Sequence, residues 1–315
     1  MATLVRMRRL VLVANPAASR FTGSLHRDVL EILTGSFDVT QMWPNGPDEA
    51  RRTAVEAAGD GVDVVVAMGG DGVAHRVANG IAGSDTSLGI VPAGTTNVLA
   101  RILGLPRNPR RAAQRLVTGT PRLLPTMALE SDATSGGSPD LVLFSAGAGF
   151  DADIVAKAEE DPIRKVGFGP LHYGRTVAKV VASEYAGRTP TLHVEGDGRR
   201  AEAVGVFVQI HDRYTEVGPI PMRLTTESGS GLTALVATRI DLAVGLRMLS
   251  RVVTRRDQRR IPGVEVWSGL SRLCVSADPP ARHQADGELL GHTGRMTVAG
   301  SKRRLLVIGG SRARR

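Results

Sequence analysis

Apolar runs alternate with amphipathic stretches through the first 120 residues. Unbroken apolar runs at 10–14 and 64–68, and the mostly apolar segment 87–91, are typical of strands buried on both faces of a parallel sheet. The stretches between them place apolar residues at helical spacing, and Pro47 followed by two acids is typical of a first helical turn. This alternation predicts a right-handed βαβ sheet with helices on both faces, which is a three-layer α/β domain.

The pattern changes near residue 121. Strand signals become separated by Gly-rich or Pro-rich turns, which is typical of antiparallel sheets. They fall at 122–129, 141–146, 190–195, 203–210, 222–226, 232–238, 263–268, 271–277, 294–299 and 304–308. Helical patterns occur at 150–159, 171–185 and 241–254, and in the last of these Leu242, Leu246 and Leu249 are expected to face inward.

We therefore predict two domains. The α/β domain covers 1–120, and a largely antiparallel β domain with helical insertions covers 121–315, with the option that the extreme C-terminus packs back on the first domain. A chain of 315 residues is long enough for two hydrophobic cores.

Charge and composition narrow the class of partner. The net charge is +9 and nearly all of the basic residues are arginine, which favours nucleic acid, phosphorylated substrates or acidic membranes as partners. Aromatic residues make up only 3% of the chain, so recognition by base stacking is not expected and nucleic acid is not predicted as a partner. The single cysteine excludes an internal disulfide and is typical of a reducing cytoplasm.

Glycine and polar residues follow three of the predicted parallel strands. The run 64–68 stops in Gly69-Gly70-Asp71-Gly72, the run 10–14 ends in Asn15-Pro16, and the run 87–91 is followed by the loop 92–97. Glycine lets the backbone turn sharply and leaves its N–H groups open to a phosphate. Because ligands bind beyond the carboxyl ends of parallel strands, the three loops predict one phosphate-binding edge.

Four motifs in a fixed order carry a resemblance. They are Gly69-Gly70-Asp71-Gly72, Pro92 to Arg101, Gly147 to Ala152, and Asp286-Gly287-Glu288. In this order they resemble the diacylglycerol kinase catalytic-domain family, which includes bacterial soluble lipid kinases and sphingosine kinases. The resemblance spans nearly the whole chain. It implies an N-terminal ATP-binding α/β domain, a C-terminal β-sandwich for the lipid substrate, a cleft between them, and ATP-dependent lipid kinase activity.

The resemblance also implies which residues surround ATP. They are Asn15, Pro16, Gly69, Gly70, Asp71, Gly72, Gly94, Thr95 and Asn97. Asp71 is negatively charged and is not expected to bind phosphate directly. Three roles stay open for it: a ligand for the Mg²⁺ that accompanies ATP, a partner for a nucleotide hydroxyl, or a cap for the following helix.

Asp286 and Glu288 are the candidate catalytic residues. A lipid hydroxyl is a weak nucleophile, and a carboxylate that accepts its proton assists the attack. The resemblance implies that one of the two acids is this base, and we expect Glu288 with Asp286 in support. Without the resemblance, the same residues are typical of an acidic β-turn exposed to water.

Several positions depart from the family pattern. Val73 replaces a usual threonine, Arg76 an acid and Pro125 an aspartate. The loop that binds a structural Mg²⁺ in bacterial relatives reads Glu227-Ser228-Gly229-Ser230-Gly231 without an aspartate, which argues against that metal. Two alternatives to a lipid kinase remain. One is a catalytically weak or inactive nucleotide-binding protein, and the other is a NAD kinase, which shares the Gly-Gly-Asp-Gly loop.

An arginine cluster lies at the end of the predicted helix 241–254. Its members are Arg251, Arg255, Arg256, Arg259 and Arg260. Arginines favour a helix C-terminus electrostatically, and they equally suit docking on an anionic lipid surface. We expect a cytoplasmic protein that meets its lipid substrate peripherally at an anionic membrane, and an unpaired edge strand would permit a homodimer.

Overall fold

A computed structural model of the chain describes residues 7–133, 139–159, 180–217, 220–225, 230–254 and 256–310. The described chain divides into two compact units. The first contains residues 7–125 and 303–310, and the second contains residues 126–302. The second unit therefore begins five residues later than the sequence predicts, because strand Pro121–Leu123 pairs within the sheet of the first unit. The C-terminal residues 303–310 belong to the first unit, which is the option that the prediction allowed.

The first unit is a three-layer α/β domain. Its strands are β1 (Arg8–Ala14), β2 (Phe37–Met42), β3 (Val64–Gly69), β4 (Ser87–Pro92), β5 (Pro121–Leu123) and β18 (Leu306–Ile308). Its helices are α1 (Gly23–Thr34), α2 (Pro47–Gly59), α3 (Asp71–Ile81), α4 (Val98–Ile102) and α5 (Pro109–Thr118). The sheet order is β2-β1-β3-β4-β18-β5, and the pairing is parallel except between β18 and β5.

Burial on both faces explains the apolar strands of this sheet. Leu10 and Leu12 of β1 join a core cluster with residues of α1 and α5, while Val11 and Val13 on the opposite face are also buried. Helices α2 and α3 pack against each other and against the sheet. Strands covered in this way are mostly apolar, and the predicted parallel α/β architecture is confirmed.

The second unit is an antiparallel β domain. Its strands are β6 (Met127–Ser131), β7 (Asp140–Val142), β8 (Ser145–Gly149), β9 (Leu192–Gly196), β10 (Arg199–Ala203), β11 (Gly205–Gln209), β12 (Thr215–Val217), β13 (Ile220–Met222), β14 (Leu232–Ala237), β15 (Val264–Leu270), β16 (Arg272–Ala285) and β17 (Glu288–Gly300). The main sheet runs β15-β14-β11-β8-β16-β17-β6-β7, and β12 pairs with β13 separately. The first half of β16 pairs with β9 and its second half with β8. The two layers expected of a β-sandwich are therefore parts of one hydrogen-bonded sheet.

Helices cover the outer face of β11, β14 and β15 in this unit. They are α6 (Phe150–Glu159), a π-helical turn (Val181–Tyr185) and α7 (Leu242–Val253). The predicted helix 171–185 lies partly outside the described residues, since 160–179 are not described. Within the described ranges, no helix is long and apolar enough to cross a membrane.

The predicted inward face of α7 is wrong. Val244, Met248 and Val252 are buried in the core, whereas Leu242, Leu246 and Leu249 are exposed. The helix carries two apolar stripes at helical spacing, and the periodicity that predicts a helix does not decide which stripe faces the sheet.

Candidate active site

The three predicted loops lie at one edge of the first unit's sheet, where β1, β3 and β4 end in register. The carbonyl of Gly69 accepts the N–H groups of Ala93 at 2.8 Å and Gly94 at 3.0 Å. The N–H group of Asn15 donates to the carbonyl of Met68 at 3.0 Å. Backbone hydrogen bonds therefore join the loops that the sequence predicts to act together.

Two glycines touch where α3 begins. A Cβ atom added to Gly94 would lie 2.6 Å from the Cα atom of Gly70, so only glycine permits this approach. Gly70 is the N-cap residue of α3, and Gly72 belongs to its first turn. The first N–H groups of a helix have no partner within the helix and form the positive end of its dipole. The glycine pair therefore leaves an open anion-binding helix terminus, which fits a phosphate.

Asp71 caps a helix, but not the one that follows it directly. It is the first residue of α3, and its two carboxylate oxygens accept the N–H groups of Val98 at 2.8 Å and Leu99 at 3.0 Å. These are the first residues of α4. The sequence analysis considered a cap for the following helix, α3, whereas the carboxylate caps α4, and these bonds hold the loop 92–97 beside the start of α3.

The other predicted ATP-binding residues shape these loops. Asn97 has a left-handed backbone with φ of 54°, and its side chain donates to the carbonyl of Gly94 at 2.6 Å. The Oδ1 atom of Asn15 accepts the N–H group of Ala17 at 2.9 Å, which forms an Asx turn around the exposed Pro16.

An exposed hydroxyl pair lies at the same edge. The Oγ1 atom of Thr95 is 3.0 Å from the Oγ atom of Ser19. Sequence analysis missed Ser19, because no spacing relates it to a loop that follows a different strand.

Val73 packs onto the glycine loop. A Cβ atom added to Gly69 would lie 3.0 Å from the Cγ2 atom of Val73. Valine has no hydroxyl group, so the threonine hydroxyl of the family pattern is absent here. At this position the first turn of α3 offers a ligand its backbone N–H groups but no side-chain hydrogen-bond donor.

In the second unit, Asp286 and Gly287 form the turn between β16 and β17. Both have positive φ, 52° and 84°, as in the two-residue type I′ hairpin. Asp286 is only 4% exposed, which differs from the alternative of a turn open to water. Its carboxylate accepts the N–H groups of Leu143, Phe144 and Ser145 at 2.8, 2.8 and 3.1 Å. Backbone N–H groups therefore engage both oxygens of this carboxylate and hold the turn.

Glu288 differs from Asp286 in its surroundings. It is partly exposed at the start of β17, and no other described residue hydrogen-bonds or ion-pairs with its side chain. Its carboxylate is therefore available to accept a proton from an external hydroxyl. The two acids of the motif thus divide into one that holds the turn and one that the turn presents.

A buried polar network supports this turn from β16. The Oε1 atom of Gln284 accepts the N–H group of Gly287 at 2.9 Å, and its Nε2 atom donates to Asp151 at 2.7 Å and to Tyr214 at 2.9 Å. The Tyr214 hydroxyl also donates to Asp151. Burial raises the pKa of Asp151 to about 7, although these two hydrogen bonds act in the opposite direction.

Gly147 makes room for this network. A Cβ atom there would lie 1.9 Å from the Oδ2 atom of Asp151, four residues later. The sequence motif from Gly147 to Ala152 contains both residues, so this pairing was visible in principle. Tyr214 and Gln284 were missed, because they reach Asp151 from distant strands.

The described residues contain no group of three or more His, Cys, Asp or Glu side chains that would hold a metal ion. Residues 226–229 of the loop considered for a structural metal, and Arg255 of the arginine cluster, lie outside the described residues. A Mg²⁺ ion bound with ATP usually takes phosphate oxygens and water as most of its ligands, which is compatible with these surroundings.

Comparison with known proteins gives the family. The family model of the diacylglycerol kinase catalytic domain matches residues 9–129. A protein of Xanthomonas euvesicatoria named probable lipid kinase YegS-like is 35% identical over 251 residues, which cover 73% of this chain and 76% of that protein. The chain belongs to the diacylglycerol kinase catalytic-domain family. The resemblance carried by the four motifs is confirmed, and membership in this kinase family implies the use of ATP.

Two further comparisons agree with this family. A diacylglycerol kinase of Mycobacterium tuberculosis is 38% identical over 95 residues, which cover 30% of this chain and 31% of that protein. The chain thus matches about a third of the length of that relative. A diacylglycerol kinase structure from Bacillus anthracis superposes with a TM-score of 0.69 at 17% identity, covering 96% of this chain and 97% of that one. The fold of the family therefore extends over both units.

Proposed function

We propose that this kinase-family member transfers the γ-phosphate of ATP to a hydroxyl group of a diacylglycerol-like lipid. The observation that carries the proposal is the environment of Glu288, a carboxylate without a partner among the described residues at the end of a turn that Asp286 fixes. A fixed, partly exposed carboxylate suits a general base that meets its substrate from outside the protein.

In this proposal the first unit binds ATP. The N–H groups at the start of α3 receive phosphate oxygens where Gly70 and Gly94 keep side chains away. Asp71 keeps the loop 92–97 in place, while Asn15, Thr95 and Ser19 supply polar groups at the rim. Mg²⁺ would neutralise charge on the phosphates, and phosphate oxygens and water would supply most of its ligands.

The proposed reaction is a balanced displacement. Glu288 accepts the proton of the lipid hydroxyl while the hydroxyl oxygen forms a bond to the γ-phosphorus atom. The bond from that phosphorus to the β–γ bridging oxygen breaks, and ADP leaves. Asp286 takes no proton in this step, because backbone N–H groups engage its carboxylate.

A labelling experiment tests the proposal. Purified protein is incubated with γ-labelled ATP, Mg²⁺ and, separately, diacylglycerol, monoacylglycerol, a sphingoid base and NAD. We expect label in a lipid. Label in NAD alone would favour a NAD kinase, which shares the Gly-Gly-Asp-Gly loop. Binding of ATP without transfer to any acceptor would favour the inactive nucleotide-binding alternative, which the departures at Val73, Arg76 and Pro125 support.

A further inference from the structure

Helix α7 exposes a continuous apolar stripe. Its members are 39 to 58% exposed: Leu242, Leu246, Leu249 and Val253. At about 100° per residue, these positions lie within roughly 60° of one another around the helix. The opposite side of the same helix is already buried through Val244, Met248 and Val252. The stripe is therefore additional to the face that holds α7 on the sheet, and large apolar side chains left in water are typical of an interaction site.

An arginine hollow lies beside the C-terminal end of this stripe. Its volume is about 520 Å³, and it is lined by Arg247, Arg251, Arg256 and Arg260 together with Ser250 and Thr254. Arg251 donates to the carbonyl of Asp257 and, at 3.4 Å, to the carbonyl of Arg260, which holds the loop after the helix.

The other three arginines of the hollow remain available. Arg247, Arg256 and Arg260 have no ion pair with any described residue, and none of the described residues that line the hollow is acidic. Asp257, which lies close by, is engaged by the side chains of Thr225 and Arg259. The hollow is therefore a concentration of positive charge suited to phosphate.

We infer that α7 docks the protein on an anionic phospholipid bilayer, with the apolar stripe in the boundary between head groups and acyl chains and the arginine hollow on lipid phosphate. The helix has 12 residues and is about 18 Å long, so it lies in the membrane surface and does not cross it. An apolar stripe flanked by arginine is the pattern of interfacial helices, and an anionic leaflet attracts such basic side chains.

Charge complementarity favours a bilayer over a second copy of this chain. The helix contains arginine at 247 and 251 but no aspartate or glutamate. A two-fold dimer through the stripe would place the same surface of both copies together. The arginines of each copy would then face those of the other without carboxylates from the helix between them, whereas lipid phosphates would compensate that charge.

This inference rests on the proposed lipid kinase function, because it names the surface on which the protein would meet its lipid substrate. Vesicle binding tests the inference without any measurement of catalysis. The full chain is sedimented with vesicles of phosphatidylcholine and of phosphatidylcholine mixed with phosphatidylglycerol. We expect binding to the anionic vesicles that weakens as salt is raised. Leu246→Glu and Arg256→Glu should each lower the partition coefficient about tenfold or more.

Matched variants control for general effects of charge. Val55→Glu changes an exposed apolar residue of α2, and Arg27→Glu changes an exposed arginine of α1. Both should bind within about twofold of the unaltered protein, and all variants should give the same circular dichroism spectrum. If Leu246→Glu and Val55→Glu bind anionic vesicles equally well, the inference is wrong. If Leu246→Glu instead dissociates a dimer and leaves vesicle binding unchanged, the stripe binds a second copy.

The same variants separate this inference from the proposed function. Loss of vesicle docking in Leu246→Glu with full activity on detergent-dispersed lipid would support docking as a separate property. Vesicle binding that depends on the stripe, combined with absence of phosphoryl transfer to any lipid, would overturn the kinase proposal and leave the docking surface in place.

Discussion

Replacing Asp286 with asparagine tests whether the two acids of this turn have two different roles. Asparagine adopts the left-handed backbone that Asp286 requires, with φ of 52°, so the change leaves the turn geometry acceptable. One side-chain oxygen can still accept the N–H groups of Phe144 and Ser145. The new amide nitrogen, however, faces the N–H group of Leu143, which donates to the carboxylate at 2.8 Å in the unaltered protein.

The cost of this substitution follows from that contact. A hydrogen bond to a charged group contributes about 1.5–3 kcal/mol, and a buried N–H group without an acceptor costs about 1–3 kcal/mol. These two values partly describe the same loss and are not simply added, so we expect the free energy of unfolding to fall by about 3 kcal/mol. For a unit of this size the melting temperature should fall by roughly 6–12 °C. Glu288→Gln removes no contact with a described residue, so its free energy of unfolding should change by no more than about 0.5 kcal/mol.

Tryptophan fluorescence reports on the relevant unit. The chain has two tryptophans, and Trp267 is buried in the second unit at 3% exposure. With Trp43 of the first unit changed to phenylalanine, urea denaturation followed by Trp267 emission measures the unfolding of the second unit. Equal urea midpoints for Asp286→Asn and the parent protein would refute the structural role of this carboxylate. So would a loss of stability in Glu288→Gln as large as that in Asp286→Asn.

Three further substitutions test the account. Asp71→Ala removes the cap of α4, so it should lower the free energy of unfolding by about 1 kcal/mol, measured by thermal melting. It should also weaken ATP binding, measured by calorimetry, and an unchanged ATP affinity would contradict the role of Asp71 in holding the loop 92–97. Gly94→Ala should weaken ATP binding about tenfold or more, while Gly59→Ala, whose added Cβ meets nothing within 4 Å, should not. Asp151 has a folded pKa of about 7, above its ordinary value, so its stabilising contribution is complete below about pH 4 and is lost as pH rises through 7. Urea denaturation across this range should show the unaltered protein losing up to about 1.4 kcal/mol per pH unit relative to Asp151→Asn, and parallel pH profiles would contradict this.

The sheet of the first unit is largely predictable from sequence. Strands covered on both faces are mostly apolar, as in the run that ends at Gly69, and the glycine after such a run indicates where the ligand edge lies. Strand β18 is different, because three apolar residues at Leu306–Ile308 carry no information about a partner. Their pairing with β4 depends on the tertiary fold, which local pattern does not encode.

The candidate site is only partly predictable for the same reason. The motif Asp286-Gly287-Glu288 indicates two acids. What distinguishes them is the set of backbone N–H groups that bind Asp286, and the first of these belongs to Leu143, which is 143 residues earlier in the chain. The two stripes of α7 show a related limit. Both satisfy helical periodicity, and only the position of the helix on the sheet decides which one is buried.

The most direct test of the central claim is the rate of phosphoryl transfer from γ-labelled ATP to dispersed diacylglycerol by the unaltered protein and by Glu288→Gln. A general base contributes about 10²- to 10⁴-fold, so the variant should lose at least 100-fold in rate while its ATP affinity and urea midpoint stay unchanged. A variant that transfers phosphate to the lipid at the rate of the unaltered protein would contradict the assignment of Glu288 as the base.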